Sequence, residues 1–354
     1  MVRGAKSEVR VLLLTPPASL ERRYGPLAGA GSSMPALGLL SLAATLREEG
    51  FRPYIVEASA LGLSLREVLD AVDEISPRYV GITSTTLTIF QAGELAERIK
   101  ALHPEVTVIV GGPHITAVPR ETMGRFRAFD VGVIGEGERT LVELLYVLEG
   151  GGEPREVRGI AFRNGGGIEL TQPREFIKDL DSCPFPAWDL LPGFPRAYRP
   201  PPFKVRRLPA ASIVTSRGCP YGCIFCDTSV FGKRLRAYSA EYVLKMVKEL
   251  YRRYGVREVI FEDDTFLVSK GRVFQICEGL LREGIKLSWS CNSRADLVDR
   301  EILRLMRRAG CWRISFGIES GDQGILDREM TVSYTHLRAH ETRHDLVCRL
   351  LLEK

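Results

Sequence analysis

Short apolar runs alternate with longer stretches of helical spacing along the first 150 residues. Residues 10–15 (RVLLLT), 54–57, 79–84 (YVGITS), 106–110 (VTVIV) and 130–134 are short and continuously apolar, and read as parallel strands buried on both faces. Between them, residues 36–49, 65–75, 91–102 and 138–148 carry apolar positions three and four apart, as amphipathic helices do. Five such βα units predict a doubly wound sheet that binds ligands beyond the carboxyl ends of its strands. The pattern then changes. Residues 158–163 and 167–171 flank Asn164-Gly165-Gly166, a hairpin signal, and a proline-dense segment with PFPAWDLLP and RPPPF runs to about residue 209. From 210 the alternation resumes, with strands expected at 212–216, 257–261, 287–290 and 312–317 and helices at 240–253, 272–283 and 301–308. The predicted organisation is a doubly wound domain over 1–150, a connector over 151–209 and a partial βα barrel over 210–330.

Composition narrows the setting. The 354 residues suit two domains, and 49 basic against 44 acidic residues spread evenly give +5. No basic block interleaves with aromatics, so a nucleic-acid partner is not indicated. No apolar run reaches the roughly 18 residues of a membrane span. The opening MVRGAKSEVRVLLLTPP meets Pro-Pro too early for a signal peptide and reads as a first strand. Eight cysteines, three of them tightly spaced, point to a reducing compartment, the cytoplasm, and to an inorganic ligand set.

Two groups of residues carry candidate chemistry. The first lies at the strand ends of the amino-terminal half: Ser84, Thr85 and Thr86, then Gly111 and Gly112, then Gly135 and Gly137. Glycine and hydroxyl loops on one sheet edge let backbone amides approach a large ligand closely. The G-x-G-x-x-G fingerprint is absent after the first strand, which disfavours a nicotinamide cofactor.

The second group is Cys219, Cys223 and Cys226, in Arg217-Gly218-Cys219-Pro220-Tyr221-Gly222-Cys223-Ile224-Phe225-Cys226. The C-x3-C-x2-C spacing wraps three thiolates around one small inorganic centre. A closed four-iron site takes four ligands, so three leave one iron open for chemistry. Zinc is the main alternative, but a structural zinc site needs a fourth Cys or His close by, and none follows. An electron-transfer cluster would want four cysteines. Cys183 has no companion at ligand spacing, and Cys291 and Cys311 read as small buried packing residues.

The set of glycine and hydroxyl loops resembles the cobalamin-binding domain that precedes radical enzymes, over most of residues 10–148. The cysteine spacing, with aromatic Phe225 before the last cysteine, resembles the radical S-adenosylmethionine superfamily, and 185–189 (FPAWD) resembles the segment ahead of its cluster loop. Together the chain resembles the cobalamin-dependent (class B) radical S-adenosylmethionine enzymes. The resemblance implies a Rossmann-like cobalamin domain followed by a partial radical barrel. It implies a 4Fe–4S cluster on the three cysteines whose open iron is chelated by the amine and carboxylate of S-adenosylmethionine. It further implies reductive cleavage to a 5′-deoxyadenosyl radical, with electrons from a donor such as flavodoxin or ferredoxin. Phe225 would lie near the adenine, Asp263 and Asp264 near the amino group, and Glu319 near the nucleoside or methionine, while Arg294 would pair with a carboxylate. Ser84, Thr85, Thr86, Gly111, Gly112, Gly135 and Gly137 would surround the corrin and its nucleotide tail. Neither His103 nor His114 sits in Asp-x-His-x-x-Gly, so cobalt would lack a protein histidine. The implied reaction is methylation of an unactivated carbon of a small molecule. A radical cyclisation or rearrangement with the same cofactors is the alternative, and a non-catalytic cobalamin or redox sensor is disfavoured by the polar residues at the barrel strand ends.

His336, His340 and His344 recur every four residues, but VSYTHLRAHET and LVCRLLLEK read as frames of sequencing-library adapters. The expectation is therefore a non-native tail over 331–354 and a barrel cut short, with no turnover by this chain. Its fourth strand would then stand as an open edge, with Ile314 and Phe316 exposed.

Overall fold

The computed structural model describes residues 9–329, in two compact units. The first comprises residues up to Lys178 together with Ser182–Pro201, and the second comprises Asp179–Asp181 and the chain from Pro202 onward. The expected tail, with His336, His340 and His344, lies outside the described residues.

The first unit is built on a seven-stranded sheet ordered β2-β1-β3-β4-β5-β6-β7. Its strands are β1 (Arg10–Thr15), β2 (Arg52–Glu57), β3 (Tyr79–Thr83), β4 (Thr107–Gly111), β5 (Val131–Val133), β6 (Ile160–Asn164) and β7 (Gly167–Leu170). The first five run parallel, with Leu13 registered against both Ile55 and Gly81. The helices are α1 (Leu20–Tyr24), α2 (Leu37–Glu48), α3 (Ala58–Leu61), α4 (Leu65–Ile75), α5 (Ile89–Leu102), α6 (Pro113–Ala117), α7 (Pro119–Arg125) and α8 (Gly137–Glu149). Successive strand residues face opposite sides. Leu12, Leu14, Val80, Ile82, Val108 and Val110 pack in one core with Val68 and Val72 of α4 and Leu95 and Ile99 of α5. The order 2-1-3 reverses direction between β1 and β3, the topological switch point where such sheets take ligands.

The hairpin expected within a separate connector instead belongs to this sheet. β6 pairs antiparallel with β5, Val133 opposite Ile160, and so carries β7 with it. Burial explains the difference: Ile160, Ala161 and Phe162 are too apolar to hang in a linker. The proline-rich stretch is likewise anchored. The Ala187 amide donates to the Leu40 carbonyl at 3.1 Å, Trp188 is buried, and Asp189 pairs with Arg47.

The second unit carries a parallel four-stranded sheet ordered β13-β12-β11-β8, from β8 (Ala210–Ile213), β11 (Glu258–Phe261), β12 (Ser288–Ser293) and β13 (Cys311–Phe316). Helices α9 (Ala240–Arg252), α10 (Lys270–Arg282) and α11 (Arg300–Arg308) connect the strands, and α12 (Gln323–Glu329) follows. A short antiparallel ribbon, β9 (Ser216–Arg217) with β10 (Arg236–Ala237), brackets the cysteine segment. As expected, β13 is an edge strand, paired only with β12 among the described residues, but Ile314 on it is only 9% exposed, against the expectation. Phe316 is half-buried.

Candidate functional site

In the second unit the cysteine segment is a loop pinned at both ends. At its start Gly218 takes φ +81°, and a Cβ there would stand 2.5 Å from the Arg234 carbonyl and 2.9 Å from that of Phe231. Only glycine lets the first cysteine turn out so close to the returning strand. At its end the Asp227 carboxylate accepts from the Ser229 amide at 2.8 Å and the Ser229 hydroxyl at 3.0 Å, closing a side-chain turn. Between them the Cys226 amide donates to the Cys223 carbonyl at 3.2 Å, which folds those two residues into one turn.

Cys219 and Cys223 are half-buried and Cys226 is exposed. Burial, then the neighbouring Cys219, Asp264, Cys223 and Asp227, push the Cys226 thiol above its ordinary range. Three thiols that repel one another as thiolates are a donor set that a multivalent iron cluster stabilises. Among the described residues no three His, Cys, Asp or Glu side chains already stand as a closed metal cage. The loop gathers the donors on one short segment, and a cluster would draw them together.

The segment after β11 meets this loop. Here one expectation needs correction. Asp263 does not face outward beside Asp264; it is 0% exposed. Its Oδ1 accepts the amides of Thr215 and Ser216 at 2.5 and 2.8 Å, and its Oδ2 accepts the Thr215 hydroxyl at 2.5 Å. With its lone pairs so occupied, Asp263 holds the chain entering the cysteine loop and is not a ligand contact. Arg272, which the sequence reading passed over, completes the clamp. Its Nε donates to the Tyr238 carbonyl and an Nη to the Thr215 carbonyl, both at 2.7 Å. Asp264 is exposed beside the cysteines. Phe225, 56% exposed, presents an apolar ring on the same loop. A second missed residue, Thr265, brings its hydroxyl to 3.7 Å from the Cys219 sulfur.

Arg294 does pair with a carboxylate, but an internal one. It donates through Nε and Nη2 to Asp296 at 3.1 and 3.0 Å, and its guanidinium lies 3.7 Å from the centre of the Tyr221 ring in the cysteine loop. Arg294 thus fastens the end of β12 to that loop. Glu319 is exposed after β13, with φ +57°, an unfavourable left-handed conformation for a side chain of this size.

In the first unit the sequence-predicted loops converge at the carboxyl edge of the sheet. The Ser84 amide donates to the Gly111 carbonyl at 2.9 Å, and the His114 amide to the Ser84 carbonyl at 3.3 Å. Gly112, at φ +99°, lets this happen, since a Cβ would stand 2.7 Å from the Ser84 carbonyl oxygen. Thr116, not foreseen, joins the remaining loops: its hydroxyl donates to the Gly112 carbonyl at 2.9 Å and accepts the Gly135 amide at 3.0 Å. Open space lies where Cβ atoms of Gly111 and Gly135 would be. Thr85 and Thr86 are exposed, and Thr86 Oγ1 lies 3.1 Å from His114 Nδ1. Gly137 has a packing role as well. It opens α8, and a Cβ there would stand 3.0 Å from the Leu42 side chain, so its smallness serves helix packing.

One atom points to a ligand. Ser84 is 2% exposed, and its hydroxyl has no hydrogen-bond partner among the described residues. A buried unpaired hydroxyl costs about 1–3 kcal/mol, a penalty that a polar ligand at the β1/β3 switch point would remove. The cradle therefore fits a large ligand with a polar periphery, as a corrin with its nucleotide tail is.

Comparison with known proteins agrees with the two-part organisation of the chain. Residues 26–145 match the model of the B12 binding domain, and residues 213–344 that of the Radical SAM superfamily. An uncharacterised methyltransferase of Pyrococcus horikoshii is 35% identical over 321 residues, covering 90% of this chain and 67% of the relative. The anaerobic magnesium-protoporphyrin IX monomethyl ester cyclase of Cereibacter sphaeroides is 29% identical over 312 residues, covering 85% of this chain and 50% of the relative. Among solved structures, the cobalamin-dependent S-adenosylmethionine radical enzyme OxsB, with aqua-cobalamin and S-adenosylmethionine bound, superposes with a TM-score of 0.78 at 21% identity. That match covers 93% of this chain and 47% of OxsB. The chain thus spans from about half to two-thirds of the length of these proteins.

Proposed function

Because this chain belongs to the cobalamin-dependent radical S-adenosylmethionine enzymes, we propose that the protein it represents methylates an unactivated carbon of a small molecule. The observation that carries the reading is the pairing, on one chain, of the three-thiol loop with a sheet edge that buries an unpaired Ser84 hydroxyl. When bound, the cluster supplies one electron for cleavage of S-adenosylmethionine, and cobalamin supplies the methyl group.

The chain's own residues bind, orient and shield. Cys219, Cys223 and Cys226 hold the cluster and leave one iron open. Phe225 offers its exposed ring to the adenine, and Asp264 and Glu319 offer carboxylates to the amino acid and nucleoside portions. Asp263, Arg272 and Arg294 keep the loop in place without touching the ligand. Ser84, Thr85, Thr86, Gly111, Gly112 and Gly135 border the cobalamin. No helix among the described residues is long and apolar enough to cross a membrane. Three thiolates awaiting iron suit a reducing compartment, the cytoplasm, where a flavodoxin or ferredoxin would supply electrons.

A second reading, radical cyclisation with the same cofactors, is supported by the similarity to the cyclase. Methyl-labelled S-adenosylmethionine separates the two. Methyl transfer predicts 5′-deoxyadenosine together with label recovered on cobalamin. Deoxyadenosine with no label on cobalamin favours cyclisation, and absence of both sinks the enzyme reading.

A further inference from the structure

We propose that Thr265 donates a hydrogen bond to the Cys219 thiolate and thereby raises the reduction potential of the cluster that the three cysteines hold. The proposal rests on the cluster reading above and goes beyond it, because it assigns how the protein sets the cluster's redox poise.

The geometry is specific. Thr265 Oγ1 stands 3.7 Å from Cys219 Sγ, within hydrogen-bond reach of a sulfur. Thr265 is 7% exposed, so water does not compete freely for its hydroxyl. Thr265 opens the short turn Phe266–Val268, yet its side chain makes no capping bond there. Nor does any other hydrogen bond among the described residues engage that hydroxyl, so its one hydrogen-bond partner there is the cysteine.

The approach is also enforced from both sides. The backbone beyond Thr265 is fixed by Phe266, buried with its ring 4.6 Å from that of Phe261 and 5.7 Å from that of Trp289. The backbone before it is fixed by the Glu262 amide on the Ile213 carbonyl at 2.9 Å and by the carboxylate of Asp263. On the other side Gly218 commits Cys219 to its turn.

The direction of the bond follows from chemistry. With a thiol, either group could donate. A cysteine bound to iron is a thiolate with no hydrogen, so Thr265 must be the donor. On reduction the oxidised 2+ cluster takes one electron from an external low-potential donor and becomes 1+. No proton moves, and no bond to Cys219 breaks. The added negative charge spreads onto the sulfurs, so a hydrogen bond to a ligand sulfur is stronger after reduction than before. Hydrogen bonds of this kind are among the determinants of cluster potential. Thr265 therefore favours the reduced cluster, the state that transfers an electron to S-adenosylmethionine.

The test is an electron-paramagnetic-resonance redox titration of the full chain after anaerobic reconstitution, for wild type, Thr265→Val and Thr265→Ser. Wild type and Thr265→Ser should titrate together. Thr265→Val, with iron and sulfide content unchanged, should need a more negative potential. A tenfold loss in the relative stability of the reduced form corresponds to about 59 mV for one electron. If Thr265→Val loads iron poorly, Thr265→Ala, which adds no bulk, is titrated in its place and should show the same shift. Hydroxyl-free variants that titrate with wild type overturn the proposal while leaving the cluster intact, as does a Thr265→Ser variant shifted as far as Thr265→Val. A wild-type chain that assembles no cluster overturns the cofactor reading and this proposal with it.

Discussion

Asp263 and Thr215 are joined twice: one carboxylate oxygen accepts the Thr215 amide and the other its hydroxyl, each at 2.5 Å. This buried pair fixes the chain four residues ahead of the first cysteine. Burial raises the Asp263 carboxyl pKa, while Arg272 and the Thr215 and Ser216 donors oppose that rise. Removing the carboxylate leaves the buried Thr215 and Ser216 donors unpaired, at about 1–3 kcal/mol each. Asp263→Ala should therefore lower the melting temperature and the iron retained after reconstitution. Asp263→Asn keeps an acceptor for both amides and should retain more iron than Asp263→Ala. Equal iron in both variants and wild type, by iron assay after desalting, would show that Asp263 does not hold the loop.

Ser84 yields a prediction with opposite signs for two measurements. Its buried hydroxyl lacks a partner, so Ser84→Ala should leave the cobalamin-free chain as stable or more stable. If that hydroxyl pairs with cobalamin, the same variant should weaken hydroxocobalamin binding by about 1–3 kcal/mol, roughly fivefold to 150-fold. His114→Ala should leave the bound spectrum unchanged, because His114 faces Thr86 and fits no cobalt-ligand motif. Equilibrium dialysis and visible spectra check both.

Glu57 supplies the pH dependence. It is 1% exposed at the end of β2, where it accepts the Ala36 amide at 2.7 Å and the Thr15 hydroxyl at 3.3 Å. Burial raises its pKa from 4.5 to about 7, against those two hydrogen bonds. The folded form thus holds this proton more tightly than the unfolded chain. Its contribution is full below pH 4.5 and is lost as the pH rises through about 7, a span worth about 3 kcal/mol. Hydrogen exchange at the Ala36 amide, corrected for intrinsic rate, should speed up relative to Glu57→Gln between pH 5 and 8. Parallel profiles for the two proteins would show that Glu57 does not titrate there.

Much of the fold was legible because apolar runs and periodicity report burial directly. Strands such as β1 and helices such as α4 fall where the pattern puts them. Helices α6 and α7 were not among the expected helices: each is under eight residues, too short to show a period, and each opens on a proline, Pro113 and Pro119, which is favourable at the first helical position. β12 extends past the expected 287–290 through Cys291, Asn292 and Ser293, where the polar Asn292 and Ser293 break the apolar pattern that marks a strand. In the candidate site the three cysteines are legible because their spacing is local. Which of two adjacent acids turns inward is not, because Asp263 is decided by Thr215, 48 residues away. Thr265 meets Cys219 across 46 residues and carries no local signal at all. Glu57 ends an ordinary strand, and nothing in its neighbours announces that Ala36 and Thr15 will enclose it.

Anaerobic reconstitution of the full chain with iron and sulfide tests the central claim most directly. Three thiolates on one loop should take up roughly four iron and four sulfide per chain. They should give the absorption and, after reduction, the electron-paramagnetic-resonance signal of a 4Fe–4S cluster. That signal should change when S-adenosylmethionine is added, because one iron is left open. Alanine at Cys219, Cys223 or Cys226 should abolish uptake, whereas Cys183→Ala should leave it intact. A tightly held zinc ion with no iron spectrum, or a cluster indifferent to S-adenosylmethionine, would contradict the account.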